Sequence, residues 1–342
     1  MFGFGNGLIL DAAPGLPGQM ITDSGIQQGM AFLQSELEKR DPKLYEPLVS
    51  VTWSRDIVAE TGGGPVDFTS INTVDFGTTG NNTNGIIRNQ TTDIPTIQAN
   101  IGKNTYPVFD WANKIRVPFI DSAKMQKIGR SLDALYDDGL RLNYNKTVDQ
   151  MVYTGETDLG IYGILNDPQV TSSLALANGT ASARTFASKT ADQILTEVND
   201  LLTRCWARAE YDITGIPNQI GLPPLVFSAL NTRLVSTAGN ISILEYLLRN
   251  NIARTQGVDL QIVPMRQLIG IGTALTTGGA GTNRMIAYRN EKDKLSFDLP
   301  VPLRRIMTAP SVSDVAYLSV YYAQIGVVKF KYYQPVEYLD GI

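Results

Sequence analysis

The chain has 342 residues, of which 43% are hydrophobic and 18% are charged, so it is long and apolar enough for two or three domains with their own cores. It has no histidine and one cysteine, Cys205, which excludes Ser–His and Cys–His catalysis, histidine-ligated metals and an internal disulfide. The net charge of −4 argues against broad neutralisation of nucleic-acid phosphates, and no apolar run is long enough to span a bilayer.

Residues 1–50 are predicted to form an N-terminal arm with a short helix. Glycine and proline recur in the first part, and only Gln27–Lys39 shows a helical spacing of apolar side chains. The arm carries acidic residues such as Asp11 and Asp23 and no basic residue before Lys39. It therefore resembles neither a secretory signal nor a DNA-binding tail.

Residues 51–93 are rich in threonine, asparagine and glycine and predict a long, polar, two-stranded ribbon. We expect strands at Val51–Val58 and Val66–Phe76, separated by Gly62–Gly64, and a tip at GTTGNNTNG. An isolated hairpin is only marginally stable in water. The segment is therefore either a mobile surface loop or a limb that lies against another chain.

Residues 94–119 return to a strand pattern, and a long helix from about Ser122 to Tyr153 is predicted to follow, with Gly155 able to end it. Its apolar positions recur at steps of three and four residues, at Met125, Ile128, Leu132, Leu135, Gly139 and Leu142, and then at Tyr136, Leu140, Tyr144, Val148, Met151 and Val152. Such a helix would be roughly 48 Å long at ~1.5 Å per residue. The alternative is two shorter core helices with a break at Gly139.

A second unit is predicted to begin at Thr190. An amphipathic helix starts there and carries Cys205 on its apolar side, where the thiol is expected to be a small buried hydrophobe. The sequence further predicts a strand within 216–222, helices at PPLVFSALNTRLV and 241–252, and core strands at 260–264 and 284–288. A Gly-rich loop, TALTTGGAGTN, lies between those two strands and lacks the Gly-Lys-Ser/Thr of a phosphate-binding loop.

The last part of the chain predicts strands again, at 295–306, 316–323 and 326–333. We expect these strands to return to the sheet under the long helix. The unit that begins at Thr190 would then be an insertion in that base.

The order of elements, and two stretches in particular, resemble the major capsid protein of tailed bacteriophages, whose shell fold is shared with encapsulins. The first stretch follows the long helix and fits a G-x-x-G-[IL]-L-N pattern through Gly160, Gly163, Ile164, Leu165 and Asn166. The second comprises FDLPVPLRRIMTAP and IGVVKFKYYQPVEYLDG near the end of the chain.

The resemblance implies an α+β fold with named parts. They would be an N-terminal arm at 1–50, an extended loop (E-loop) at 51–93, a peripheral (P) domain at 94–189 with a spine helix at about 122–153, an axial (A) domain at 190–302, and return strands of the P domain at 303–342. In this family the spine helix bends, and here we expect bending at Gly129–Ser131 or Gly139.

The function implied by the resemblance is that of a structural subunit. It would self-assemble into hexamers and pentamers of an icosahedral shell that encloses double-stranded DNA, in the virion, after assembly in the host cytoplasm. The partners implied are other copies of the chain, a scaffold, a portal and cement or decoration proteins, with weak non-specific DNA contact and no membrane. Lys124, Lys127 and Arg130 are either a solvated basic face or such a DNA contact.

Three other interpretations remain open at this point. An encapsulin-type compartment would share the fold and hold a cargo enzyme. An enzyme could use Asp137 and Asp138, but adjacent helix residues point about 100° apart, and Asp137 is expected to pair with Arg141. A tail-tube or adhesin subunit should lack the long helix. We therefore predict no catalytic, cofactor-binding or metal-binding residues.

One further expectation concerns crosslinking. Some capsid proteins of this type join neighbouring subunits through a lysine on the extended loop. No lysine lies between Lys43 and Lys103. The predicted loop therefore lacks the nucleophile, and no such crosslink is expected.

Overall fold

A computed structural model describes residues 50–79, 96–127, 131–236, 240–275 and 279–342. The predicted N-terminal arm lies outside the described residues except for Ser50, as do most of the predicted ribbon tip, part of the Gly-rich loop, Gly129 and Arg130. The described residues form helices and strands in mixed order, as expected for an α+β fold.

The helices are α1 (Trp53–Asp56), α2 (Phe119–Lys127), α3 (Leu132–Tyr153), α4 (Ala191–Arg208), α5 (Pro224–Thr232), α6 (Ile243–Asn250) and α7 (Ile252–Thr255). The strands are β1 (Ala59–Thr61), β2 (Phe68–Thr79), β3 (Thr96–Pro107), β4 (Phe109–Pro118), β5 (Thr171–Leu174), β6 (Gln219–Leu222), β7 (Gln261–Pro264), β8 (Arg284–Tyr288), β9 (Leu295–Leu299), β10 (Val301–Ser311), β11 (Ala316–Ile325), β12 (Val328–Phe330) and β13 (Glu337–Asp340).

An antiparallel sheet of three strands, in the order β10–β11–β4, lies beside α3. Ile115 and Val117 of β4 pack with Leu140 of α3 and Tyr321 of β11 in a small apolar cluster. The C-terminal half of α3 enters a larger core through Tyr144, Val148 and Val152. A second three-stranded sheet, β1–β9–β12, contributes Phe297 and Val328 to that larger core.

A five-stranded sheet, in the order β5–β13–β8–β6–β7, packs against α4 and α6 in a separate core. Thr190 and Gln193 form a capping box at the start of α4. Pro224 occupies the first turn of α5, where its missing amide hydrogen costs nothing. The predicted helices and strands of this region are confirmed, with boundaries within a few residues of those expected.

The prediction of one continuous helix from 122 to 153 is wrong. The alternative prediction, two helices with a break at Gly139, is also wrong, because Gly139 lies inside the second helix. Two helices occupy this stretch, and Ser131 between them is extended, with φ −93° and ψ 114°. The hydroxyl of Ser131 caps α3 by accepting the amide hydrogen of Ala134 at 3.3 Å. Hydrophobic spacing continues across this capped start, which is why periodicity alone predicts one helix. The predicted end of the helix at Tyr153 is confirmed.

The predicted pairing of the ribbon is also wrong. Residues 51–58 include the short helix α1, and the partner of β2 is β3, at 96–107. The ribbon strands therefore lie within 68–107. Strand β3 lies wholly beyond residue 93, the predicted upper limit of the ribbon. Lys103 belongs to β3, so the premise that the ribbon lacks a lysine is wrong, and the expectation of no crosslink loses its basis.

The predicted insertion at 190–302 contains only three of the five strands of the β5–β13–β8–β6–β7 sheet. Strand β5 precedes it and β13 follows it, and both pair within the five-stranded sheet. The returning strands behave as expected only in part. Strand β11 pairs with β4 on one side and with β10 on the other, as expected, whereas β1 and β12 pair on either side of β9 in a separate sheet.

Candidate assembly surface

The ribbon formed by β2 and β3 is regular along its whole described length. The two strands pair antiparallel without a register shift, from Phe68 opposite Pro107 to Thr79 opposite Thr96. Because directly opposite residues in an antiparallel pair share a face, the register divides the ribbon into two faces.

One face of the ribbon carries a set of exposed apolar side chains, interrupted by the polar residues Ser70, Asn72, Lys103 and Thr105. It carries large side chains that are between 52% and 71% exposed, namely Phe68, Val74, Phe76, Ile97 and Ile101. We call this set the apolar ribbon face. The opposite face carries polar residues along most of its length, among them Thr73, Asp75, Gln98, Asn100 and Asn104. The sequence alone does not reveal this face, because the pattern at Ile97 and Ile101 equally predicts a strand of the sheet under the long helix.

The stem of the ribbon is fixed to the β10–β11–β4 sheet. The side-chain amide of Gln324 on β11 accepts the amide hydrogen of Val66 at 3.1 Å and donates to the Val66 carbonyl oxygen at 3.2 Å. Just before this point, Gly62, Gly63 and Gly64 all have positive φ, at 115°, 103° and 73°. Residues with side chains rarely adopt these angles, so glycine is required where the chain turns towards the ribbon.

The segment before the glycines is anchored in the core by two carboxylates. Asp149 of α3 accepts amide hydrogens from Thr52 at 3.0 Å and Trp53 at 3.2 Å and so caps α1. Asp56 is fully buried and accepts hydrogen bonds from the Tyr153 hydroxyl and the Arg55 guanidinium. Burial, together with the hydrogen bond to Asp56, raises the pKa of Tyr153 far above its ordinary value, so its hydroxyl stays a donor.

The turn after α3 explains the Gly-x-x-Gly-Ile-Leu-Asn pattern. The Asn166 side chain accepts the amide hydrogen of Gly163 and donates to the carbonyl oxygen of Thr154, each at 2.8 Å. The amides of Ile164 and Leu165 donate to the carbonyl oxygens of Val152 and Tyr153. The turn thereby satisfies the free carbonyls at the end of α3. Ile164 and Leu165 are fully buried in the core.

The carboxylate pair considered for catalysis does not form a site. Asp138 is exposed, whereas Asp137 bonds to Arg141 at 3.0 Å, as expected, and to the Tyr321 hydroxyl.

Cys205 is buried, and burial raises the pKa of its thiol to about 12, whereas an activated nucleophilic cysteine has a lowered pKa. The described part of the chain holds no group of three His, Cys, Asp or Glu side chains placed to bind a metal. Among the same residues, no helix has the length and apolarity needed to cross a membrane.

The predicted basic cluster is only partly described. Lys124 lies 3.8 Å from Asp121, and both side chains are mostly exposed on α2. This contact is a surface ion pair of small energetic value. Whether the cluster contacts nucleic acid stays a prediction.

The sequence profile of the Major capsid protein family matches residues 82–342, which is most of the chain. The chain belongs to the major capsid protein family. Its function is therefore that of a structural subunit of a capsid shell, as the two sequence stretches predicted. Comparison with curated protein sequences finds no significant match.

Solved structures show the same fold. The capsid of Myoviridae phage XM1 aligns with a TM-score of 0.71 at 18% identity, over 90% of this chain and 98% of the other. The Gordonia phage Cozz structure aligns with a TM-score of 0.56 at 10% identity, over 96% and 98%. The virus-like particle of Pyrococcus furiosus is more distant, with a TM-score of 0.50 at 10% identity, over 93% and 100%. The chain therefore has the fold of tailed-phage capsid proteins.

Proposed function

We propose that this capsid protein assembles into hexamers and pentamers of an icosahedral shell that encloses double-stranded DNA. The observation that carries the proposal is the apolar ribbon face, which the described part of the chain leaves in solvent. Removing a large apolar side chain from water is worth about 1.5–3 kcal/mol. A neighbouring copy that covers the face would therefore gain a substantial contact.

The geometry around the ribbon suits repeated contacts with other copies. The stem is held on the β10–β11–β4 sheet by Gln324, so each copy projects the apolar ribbon face from the same place on its surface. A closed lattice makes many such contacts at once, so the shell is stabilised collectively.

We assign the domains of the family to this chain from the positions of its sheets and helices. The ribbon around 68–107 is the extended loop, and the β10–β11–β4 sheet with α2 and α3 belongs to the peripheral domain. The five-stranded sheet with α4–α7 is the axial domain. Residues 1–50 remain the proposed N-terminal arm.

The further partners in this proposal are a scaffold, a portal and decoration proteins. Assembly would occur in the host cytoplasm, and contact with packaged DNA would be weak and non-specific. An encapsulin-type compartment is the alternative, supported only by the more distant likeness to the Pyrococcus furiosus particle. Particles that contain nucleic acid, and no cargo enzyme, would favour the virion.

The test replaces one residue on each face of the same strand. Ile101→Asp places a charge on the apolar ribbon face, and Gln98→Asp places the same charge on the polar face. We expect Ile101→Asp to fold, as judged by circular dichroism, but to form no shells in electron microscopy. Gln98→Asp should form shells like the unmodified chain. Normal shells from Ile101→Asp would refute the role assigned to the apolar ribbon face.

A further inference from the structure

A lysine and an aspartate are buried together on one face of the β1–β9–β12 sheet. Lys329 of β12 contacts the carboxylate of Asp298 on β9, and each of the two side chains is only 6% exposed. The register places Lys329 opposite Ser296, two residues before Asp298, so these side chains share a face of the sheet. An amine and a carboxyl group are therefore held in contact where water scarcely enters.

Both side chains are fixed by what surrounds them. The amide of Gly326 donates to the carbonyl oxygen of Asp298 at 2.9 Å, and a Cβ added to Gly326 would lie 2.7 Å from the Cβ of Asp298. The turn between β11 and β12 therefore packs directly on the aspartate. The Nζ of Lys329 lies 5.9 Å from the centre of the Tyr106 ring on β3.

A second carboxylate lies beside this pair. Glu60 of β1 is the register partner of Asp298 in the parallel pairing of β1 with β9, so both side chains point to the same face. Glu60 also accepts a hydrogen bond from Lys331 at 2.6 Å. Burial acts to raise the pKa of Glu60, but the contacts with Lys331 lower it below the ordinary value. Glu60 is therefore ionised and able to accept a proton.

We propose that Lys329 and Asp298 condense into an amide bond within one chain, with Glu60 as the proton carrier. Glu60 takes a proton from the ammonium group, and the neutral Nζ of Lys329 attacks Cγ of Asp298. The Nζ–Cγ bond forms, and one oxygen of Asp298 leaves as water with two of the three ammonium protons, one of them returned by Glu60. No oxidant, cofactor or second chain takes part.

The surroundings favour this reaction, which free amines and carboxylates in water do not undergo. Fixed contact gives reacting groups an effective concentration of up to about 10⁵–10⁸ M. Burying two charges is costly, and the neutral amide removes that cost. The bond also closes the segment 298–329 into a loop, which restricts the unfolded chain as a disulfide does. It lies within a single chain, so its formation does not depend on shell assembly.

The test is the mass of the intact full-length chain, folded and then denatured for mass spectrometry. We expect the unmodified chain to be lighter than its sequence by one water molecule, and protease digestion to leave the peptide of Asp298 joined to that of Lys329. Lys329→Arg keeps the positive charge, but a guanidinium stays protonated and does not attack, so this variant should have the full mass. Glu60→Gln should form the bond about a hundredfold more slowly, as loss of a general base predicts.

Two lysine variants serve as matched controls and should still lose the water molecule. Lys331→Arg changes the neighbouring lysine, which is 22% exposed and hydrated. Lys189→Arg changes another buried lysine, paired with Glu197. Glu197 lies on α4, so no paired strand brings a second carboxylate beside it. Circular dichroism checks that each variant folds.

The mass and the joined peptides also separate this bond from other dehydrations. Cyclisation of an aspartate onto the backbone removes the same mass, but that loss persists in Lys329→Arg. The proposal is overturned if the unmodified chain has its full mass, if no joined peptide is found, or if Lys329→Arg is equally light. Unchanged kinetics in Glu60→Gln would refute the role of Glu60. The joined peptide is sought in the unmodified chain, so the test stands even where a variant does not fold.

Discussion

Asp137 on α3 is a titratable group that three polar or charged side chains contact. Tyr321 contacts it from β11, Arg305 from β10, and Arg141 from its own helix. The hydrogen bond from Tyr321 is the largest effect and lowers the pKa of Asp137 below its ordinary value, against the opposing effect of burial. The ionised carboxylate is therefore favoured in the folded chain.

This shift predicts how the stability provided by the hydrogen bond between Tyr321 and Asp137 depends on pH. A carboxyl group whose folded pKa is lowered adds stability above its unfolded pKa, about 3.9 for aspartate, and loses it as the pH falls through the folded value. Because Tyr321→Phe removes the main cause of the shift, we expect the difference in urea midpoint between the unmodified chain and the variant to narrow below about pH 4. A difference that stays constant from pH 6 to pH 3 would contradict the assignment.

Glycine has opposite roles at two positions around α3. At Gly163, an added Cβ would lie 2.3 Å from the carbonyl carbon of Tyr153, because the turn runs directly against the end of the helix. At Gly139 it would meet open space. Gly163 is required because the backbone of Tyr153 lies too close for any side chain. Gly139 is not required by packing, although glycine has a low helix propensity.

The two glycines give a paired prediction for the helix and its turn. Gly163→Ala should destabilise the fold by about 3 kcal/mol or more through overpacking. Gly139→Ala should stabilise it by about 1 kcal/mol through helix propensity. Chemical denaturation of both variants measures these effects. If both variants changed the free energy of unfolding equally and in the same direction, the turn at Gly163 would have shifted to accommodate the extra methyl group, contrary to the prediction.

The last strand connects distant parts of the chain. Strand β13 lies between β5 and β8, which are separated from each other by more than a hundred residues in sequence. Its Glu337 is fully buried and pairs with Arg204 at 2.8 Å and Arg208 at 2.9 Å, and Asp340 forms a two-pronged pair with Arg284. Removing one partner of a buried ion pair leaves an uncompensated charge.

This placement predicts that the five-stranded sheet fails without its last strand. A chain truncated after Val336 leaves Arg284 without its partner and splits β5 from β8, so we expect it to be insoluble or to lack a cooperative thermal transition. Tyr338→Phe is the control, since it loses only the hydroxyl contacts to Ile164 and Asp167 and should fold with a lower midpoint. A truncated chain that melts like the full one would refute the prediction.

The strand pairing of the ribbon could not be predicted from the sequence. The extended character of 68–76 and of 96–118 could be predicted, but not which extended segment pairs with which. A strand has the same alternating pattern whatever its partner, and its register depends on contacts far away in sequence. The apolar ribbon face was therefore invisible, because it arises only when β2 and β3 are placed side by side.

The sequence by itself determined what depends on neighbouring residues: the end of α3 at Tyr153, just before Gly155, the capped start of α4 at Thr190, the turn marked by Gly163 and Asn166, and the family that those features identify. These features follow from local backbone geometry and capping. Only the tertiary structure decided the position of β13 and the contact of Asp137 with Tyr321. Each of those depends on side chains and strands brought together across long separations, and no local pattern records which partner a buried group finds.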